Sequence, residues 1–230
     1  MDRTVGPIDA LLRERHLLKH PFYVAWSAGE LPLPTLRQYA GQYYRFESAF
    51  PRFVAAAYSQ LERPEDRRVL LDNLVDEEGR PPTHPQLWLD FARGIGLSGR
   101  AASTAPPLAP TSALLDCYER LTRRSPAEAV SALYAYESIF PEIAAEKSRG
   151  LRAHYGVNSP AAHEFFRVHT TADVEHSGAE RRVLSGLLEH SPAARKAALL
   201  ASRRAIGAWW SFLDGFPLPM MPDGPRSRSG

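Results

Sequence analysis

One cysteine, Cys117, is all this chain has in 230 residues, which excludes an intramolecular disulfide, a CxxC redox motif and a thiolate metal cage. A reducing cytoplasm is therefore the expected compartment. No apolar run approaches the ~18 residues that a membrane-spanning helix needs, and the opening Met-Asp-Arg-Thr-Val-Gly-Pro lacks the basic-then-apolar layout of a secretory signal. A soluble chain is expected. An excess of one charge is missing too: 28 basic and 26 acidic side chains give a formal +2, spread along the length, so there is no electrostatic footprint for nucleic acid or an anionic membrane. The expected partner is small. Also absent is any sustained period-two alternation bounded by hairpin turns, which removes the β classes.

What is present is a 44% apolar composition with 10% aromatics, enough to bury a substantial core at a length that fits one domain, expected over 1–221 with a disordered tail at 222–230. Apolar residues recur at helical spacing, and the reading is all-α, with seven to eight helices. A first helix is expected from Pro7 to Lys19, a short aromatic one from Pro21 to Gly29, and a long one from Pro34 to Leu61. Pro64 opens a helix that stops at Gly79, and Thr83 caps the next, through to Gly94. The Ser, Ala, Gly and Pro of 97–110 read as a surface loop. Helical pattern resumes at Thr111, and Ser-Pro pairs at 125, 159 and 191 open the last three helices.

Glu47-Ser-Ala-Phe-Pro51 and Glu137-Ser-Ile-Phe-Pro141 share one pattern, each with a tyrosine three residues earlier, Tyr44 and Tyr134. Proline four residues after a glutamate removes the hydrogen bond to that glutamate's carbonyl, so each helix should kink there and open space around a buried polar site.

His169, Asp173 and His176 stand at i, i+4 and i+7, one stripe of a helix. Two imidazoles and a carboxylate suit iron, manganese or zinc; the plainer reading is a half-exposed helix with a His-Asp hydrogen bond. Glu77 ends one helix and His84 begins the next, so the intervening turn can bring both inward. Glu137 lies in an apolar pattern, where an ionised carboxylate needs a positive partner. The three carboxylates and three imidazoles leave two divalent ions with a net +1 and open positions for water or dioxygen, a ligand supply used by helical bundles that hold two irons or manganese plus iron.

The segments His20-Pro-Phe-Tyr-Val-Ala-Trp-Ser-Ala-Gly-Glu-Leu31, Leu71-Asp-Asn-Leu-Val-Asp-Glu-Glu78, Ala132-Leu-Tyr-Ala-Tyr-Glu-Ser138, Glu146-Lys-Ser-Arg-Gly-Leu151 and the His169 motif together resemble the Chlamydia protein associating with death domains and its bacterial homologues. These are haem-oxygenase-like di-metal oxidases, a fold shared with thiaminase-like (TenA) and quinone-cofactor (PqqC) enzymes. The resemblance runs from about residue 7 to 215 and implies oxygen-dependent formation of p-aminobenzoate, the folate precursor, from one of the protein's own tyrosines. Position by position it implies Tyr23 as the sacrificed tyrosine, Lys147 as the nitrogen donor, and Tyr39 and Tyr136 as relays of oxidising equivalents. It implies Glu77, His84, Glu137, His169, Asp173 and His176 as ligands of two irons or a manganese-iron pair. Dioxygen and an external electron donor are the implied partners, and a homodimer is compatible with it. Taken without the resemblance, each tyrosine reads as core packing and Lys147 as a solvated lysine.

This chain departs from the chlamydial pattern at two places. Phe165 stands where a tyrosine is expected, one turn before His169, so a relay through that position is lost. Glu47 stands in place of lysine, and reads either as a seventh carboxylate near the metals or, the favoured expectation, as a salt-bridge partner of Arg45 or Arg52. Other readings remain open. A di-iron oxidase could act on a diffusible amine or amino acid by N-oxygenation, desaturation or carbon-carbon cleavage. PqqC-like quinone chemistry needs no metal ligands, thiaminase chemistry needs a nucleophilic cysteine context that Cys117 lacks, and haem ligation by His16 or His20 leaves the acidic set without a role. A helical module that binds death domains is the non-enzymatic alternative.

Overall fold

Proline sets the helix boundaries in this chain, because it lacks the N–H that a first-turn residue leaves unused and its fixed φ suits helix entry. The computed structural model describes residues 4–218, and among them every α-helix but one has a proline in its first two positions. In order these are α1 (Gly6–Glu14), a 3-10 turn (Leu17–Lys19), α2 (Pro21–Ala28), α3 (Leu33–Glu47), α4 (Phe50–Gln60), α5 (Pro64–Glu78), α6 (His84–Gly94), α7 (Gly99–Thr104), α8 (Ala109–Leu121), α9 (Pro126–Glu137), α10 (Phe140–His154), α11 (Pro160–Leu188) and α12 (Pro192–Asp214). The expected tail at 222–230 lies outside the described residues.

The all-α expectation holds, but twelve α-helices replace the seven to eight expected. Two of the additional boundaries are the proline sites. The helix expected from Pro34 to Leu61 ends at Glu47 and restarts as α4, and the Ser125 helix ends at Glu137 and restarts as α10. Each break is a short turn rather than a kink: Ala49 N–H donates to Phe46 at 2.9 Å and Ile139 N–H to Tyr136 at 3.2 Å, i to i−3 bonds that tighten the last turn. A third addition is α7, inside the expected loop at 97–110, where the Ser98 hydroxyl accepts from Ala101 N–H at 3.1 Å and its cap outweighs the Gly-Pro composition around it.

α11 packs on α10, α6, α9 and α5, while α12 packs on α9 and α8, and α3 on α6 and α7. Between them lies an aromatic core: Tyr43 stacks on Trp88 with centroids 4.0 Å apart and Tyr136 on Trp209 at 4.8 Å, while Phe165 packs tilted against His169 at 4.0 Å. Trp88 and Trp26 place their indole N–H on the backbone carbonyls of Ala40 (2.8 Å) and Lys147 (3.2 Å), so their burial leaves no donor stranded. No helix among the described residues is long and apolar enough to cross a membrane.

Candidate metal centre

The ends of α3, α5 and α9, the start of α6 and the middle of α11 meet at one buried cluster of acids and imidazoles. All six expected donors are in it, and all six are buried. Glu137, Asp173 and His176 form one group whose donor atoms lie within 4.8 Å of one another. The second group, to the same limit, is Glu47, His84 and His169. Glu77 stands between the two: its Oε2 is 3.0 Å from His84 Nδ1, and its charge acts on Glu47 in one group and on Asp173 and His176 in the other.

Glu47 thus corrects the favoured expectation for it. Arg45 donates to the Ala105 carbonyl, well away from the cluster, and Glu47 is buried beside His84 and His169. Helical geometry gives the reason, since residues i and i+2 leave a helix in different directions and Arg52 lies beyond the break in the chain. With Glu47 the candidate donors are four carboxylates against three imidazoles, and two divalent cations would bring the charge from the expected +1 to zero.

Three further residues were not singled out from sequence. Glu180 continues the 169-173-176 stripe by one more turn, fully buried, with neither carboxylate oxygen partnered by ordinary hydrogen-bond geometry. Asn73 donates to Glu137 Oε1 at 2.9 Å. The Tyr43 hydroxyl hydrogen-bonds to that of Tyr136 and sits close enough to stabilise ionised Glu47. The heptad-like spacing could have revealed Glu180; Asn73, one turn before Glu77, and Tyr43, one turn before Glu47, carry no comparable signal.

Burial raises Asp173 well above the carboxylate range, helped by the charges of Glu137, Glu77 and Glu47, and burial followed by Glu77 does the same to Glu47. Burial also raises Glu180, with Glu137 next to it. Burial opposes ionisation of Glu137, yet the neighbouring His176 and Glu180 and the hydrogen bond from Asn73 outweigh it and lower its pKa. Burial likewise pulls His176 down, but Glu137 and Asp76 outweigh it and leave the imidazole at about 9. Burial holds His169 well below its ordinary value, with the neighbouring His84 adding to the effect. Its Nδ1–H donates to the Phe165 carbonyl at 2.7 Å, which leaves Nε2 as the free acceptor.

Glu47 Oε1, Glu137 Oε2 and Asp173 Oδ2 are buried without a hydrogen-bond partner, while Glu77 Oε2 and His84 Nδ1 face only each other and His176 Nδ1 has only its contact with Glu137. An unsatisfied buried polar atom costs about 1–3 kcal/mol, so three such oxygens in one cluster are costly unless a ligand satisfies them. Oxygen and imidazole donors in this proportion fit two cations of the iron or manganese class.

Lys147 lies on the far side of an aromatic wall. Its Nζ is fully buried, has no hydrogen-bond partner, and stands 4.6 Å from the ring centroid of Tyr43, 5.1 Å from Tyr39 and 5.3 Å from Tyr23, with Trp88 and Phe140 completing the cage. Burial pushes the amine well below the ordinary lysine range, against a smaller pull from Glu47, so the neutral form is favoured. The Tyr23 and Tyr39 hydroxyls are 3.0 Å apart, and burial raises both phenols. Tyr39, Tyr43 and Phe165 run from this cage to His169, with centroid steps of 5.6, 6.1 and 4.0 Å. Tyr136 flanks the path through Tyr43.

A family model described as iron-containing redox enzyme matches residues 37–210. The chain is 38% identical over 218 residues to a 4-aminobenzoate synthase of Nitrosomonas europaea, covering 90% of this chain and 88% of that one. It is likewise 38% identical over 213 residues to a 4-aminobenzoate synthase of Chlamydia muridarum, covering 92% and 89%. In three dimensions it resembles a Shewanella denitrificans domain with a haem-oxygenase-like fold, with a TM-score of 0.72, 15% identity, and coverage of 90% of this chain and 87% of that one.

Proposed function

The chain belongs to this family of iron-containing redox enzymes, and from that premise we propose that it makes 4-aminobenzoate by consuming its own Tyr23, with dioxygen as oxidant and an external reductant. The ligands in this reading are Glu77, His84, Glu137, His169, Asp173 and His176, joined by Glu47, and they hold two irons or a manganese-iron pair. Such a pair, once reduced, supplies an oxidant strong enough to take electrons and protons from phenols.

The observation that carries the reading is the Lys147 cage. 4-Aminobenzoate is a benzene ring with one carbon para to a nitrogen, and a tyrosine side chain is the same ring with one carbon para to an oxygen. Conversion requires release of Cβ from Cα, oxidation of Cβ to the carboxylate by dioxygen, and replacement of the phenol oxygen, lost as water, by an amine whose Cε–Nζ bond to Lys147 is then broken. A nitrogen nucleophile must be neutral and near the ring. Lys147 Nζ lies 5.3 Å from the Tyr23 centroid in a site that disfavours its charge.

The remaining residues bind, orient and exclude. Tyr39 holds the Tyr23 hydroxyl by a 3.0 Å hydrogen bond and Phe22 packs edge-on against the Tyr23 ring at 5.5 Å, fixing it beside the amine. Trp88 and Phe140 keep water from Lys147. Tyr39 and Tyr43 lie between Tyr23 and the donor cluster, with Tyr136 bonded to Tyr43, in positions suited to pass an electron and a proton outward. Tyr43 packs edge-on to Phe165, centroids 6.1 Å apart, where the related pattern has tyrosine.

The test is intact-protein mass spectrometry of metal-loaded, reduced protein before and after exposure to oxygen, with Tyr23→Phe, Tyr39→Phe and Tyr43→Phe alongside. Mass loss at residue 23 with release of 4-aminobenzoate, both abolished in Tyr23→Phe, is the expected outcome. An unchanged chain that turns over an added amine or amino acid would overturn it.

A further inference from the structure

His176 is turned by a residue on another helix. Its Nδ1 faces Glu137 Oε1 at 3.4 Å, on the side of the buried donors, while Nε2 lies 3.0 Å from Asp76 Oδ2. A carboxylate oxygen accepts, so Nε2 carries the proton in this contact. The nitrogen left to bind a cation is then Nδ1, which is buried and without a hydrogen-bond partner.

The three imidazoles of the cluster are secured in different ways. His169 is held by a backbone carbonyl of its own helix, Phe165, at 2.7 Å, which no substitution removes. His84 meets Glu77, itself one of the donors, at 3.0 Å. Only His176 leans on a side chain outside the donor set. Asp76 comes from α5, where Asn73, Asp76 and Glu77 share one face at i, i+3 and i+4 toward α11. Asn73 steadies Glu137 from that face at 2.9 Å and Glu77 enters the cluster, so Asp76 is the third member of a row that serves it.

Asp76 is also open to water, with a side chain 59% exposed, against 8% for His176. With His84 and Glu175 it lines a surface cavity of about 400 Å³. Arg167 lines it too, but is occupied by Glu164 at 2.6 Å. Asp76 therefore keeps its hydration and contributes charge to His176 without full burial.

We propose that Asp76 is a positioning residue of the metal centre, fixing the His176 imidazole with Nε2 protonated and Nδ1 directed at the cation shared with Glu137 and Asp173. The inference rests on His176 being a ligand. Outer carboxylates of this kind orient a ligating histidine and raise its basicity, and their loss costs metal affinity about 10–100-fold.

Mn(II) titration of the metal-free full chain, reading free Mn(II) by electron paramagnetic resonance, tests this on wild type, Asp76→Ala, Asp76→Asn and Asp76→Glu. Far-UV circular dichroism establishes that each variant is folded. Asp76→Ala should bind about 10–100-fold more weakly, Asp76→Asn should fall between, and Asp76→Glu should recover part of the loss. In the Zn(II)-loaded protein the His176 Nε2–H proton resonance should be seen in wild type, downfield and slow to exchange, and lost in Asp76→Ala. Wild-type affinity and an unchanged His176 resonance in Asp76→Ala would overturn the positioning role while leaving the metal centre standing. A wild-type protein that takes up no Mn(II), Fe(II) or Zn(II) would overturn the ligand reading and this inference together.

Discussion

Replacing Lys147 with methionine should stabilise the metal-free fold while ending product formation. Methionine matches lysine in length and fills space well, and repacking of that kind usually costs less than about 1.5 kcal/mol. Against that stands an amine that is fully buried and without a hydrogen-bond partner, a burden of about 1–3 kcal/mol. At mid-range the two leave a net gain of about 1 kcal/mol, or roughly 2–4 °C in Tm for a chain of this length. The sign with pH is fixed by the direction of the shift. Burial lowers the Lys147 pKa, so between its folded value and about 10.4 the unfolded chain holds a proton that the native state lacks, and wild-type stability from this group rises with pH. The advantage of Lys147→Met should therefore shrink as pH is raised toward 10. Thermal melts of both proteins, freed of metal, at several pH values between 6 and 10 measure it. A methionine variant that melts below wild type at pH 7, or that still releases 4-aminobenzoate, would refute the reasoning that this lysine is kept for its nitrogen at a cost in stability.

Glu47→Ala should lower affinity for a cation at the candidate group with His84 and His169 while leaving the Glu137-Asp173-His176 group able to bind, giving two separated affinities in isothermal titration with Mn(II); two unchanged sites would return Glu47 to a bystander. Metal binding should strengthen with pH, because ions displace protons from the raised Glu47, Asp173 and His176, the last at about 9. Affinity should rise about tenfold per pH unit for each proton displaced, measured by chelator competition between pH 6 and 8, and a flat profile would contradict the protonated cluster.

Much of the centre was legible because it is built on helices, whose 3.6-residue period fixes which side chains share a face. The 169-173-176 stripe is of that kind, and the two Glu-Ser-x-Phe-Pro segments told correctly where α3 and α9 are interrupted. Glu47 was misjudged although the echo itself placed it in the context of Glu137; its arginine neighbours in sequence leave the helix in other directions. Asp76, Asn73 and Tyr43 were not legible. Their roles depend on how α5 and α3 are rotated against α11 and α9, which packing decides. α7 was missed because a single serine cap outweighed a composition typical of loops. The departure at Phe165 gains meaning only in three dimensions, where Tyr43 stands 6.1 Å from it.

Whether the chain is its own substrate decides what reaction it performs. Protein made with ring- and Cβ-labelled ¹³C tyrosine and ¹⁵Nζ-labelled lysine, loaded with metal, reduced and exposed to oxygen without any added substrate, tests this most directly. The expected product is 4-aminobenzoate that carries both labels, released at no more than one molecule per chain, with the labelled side chain missing from residue 23. Unlabelled product, or many molecules per chain from an added compound, would contradict it.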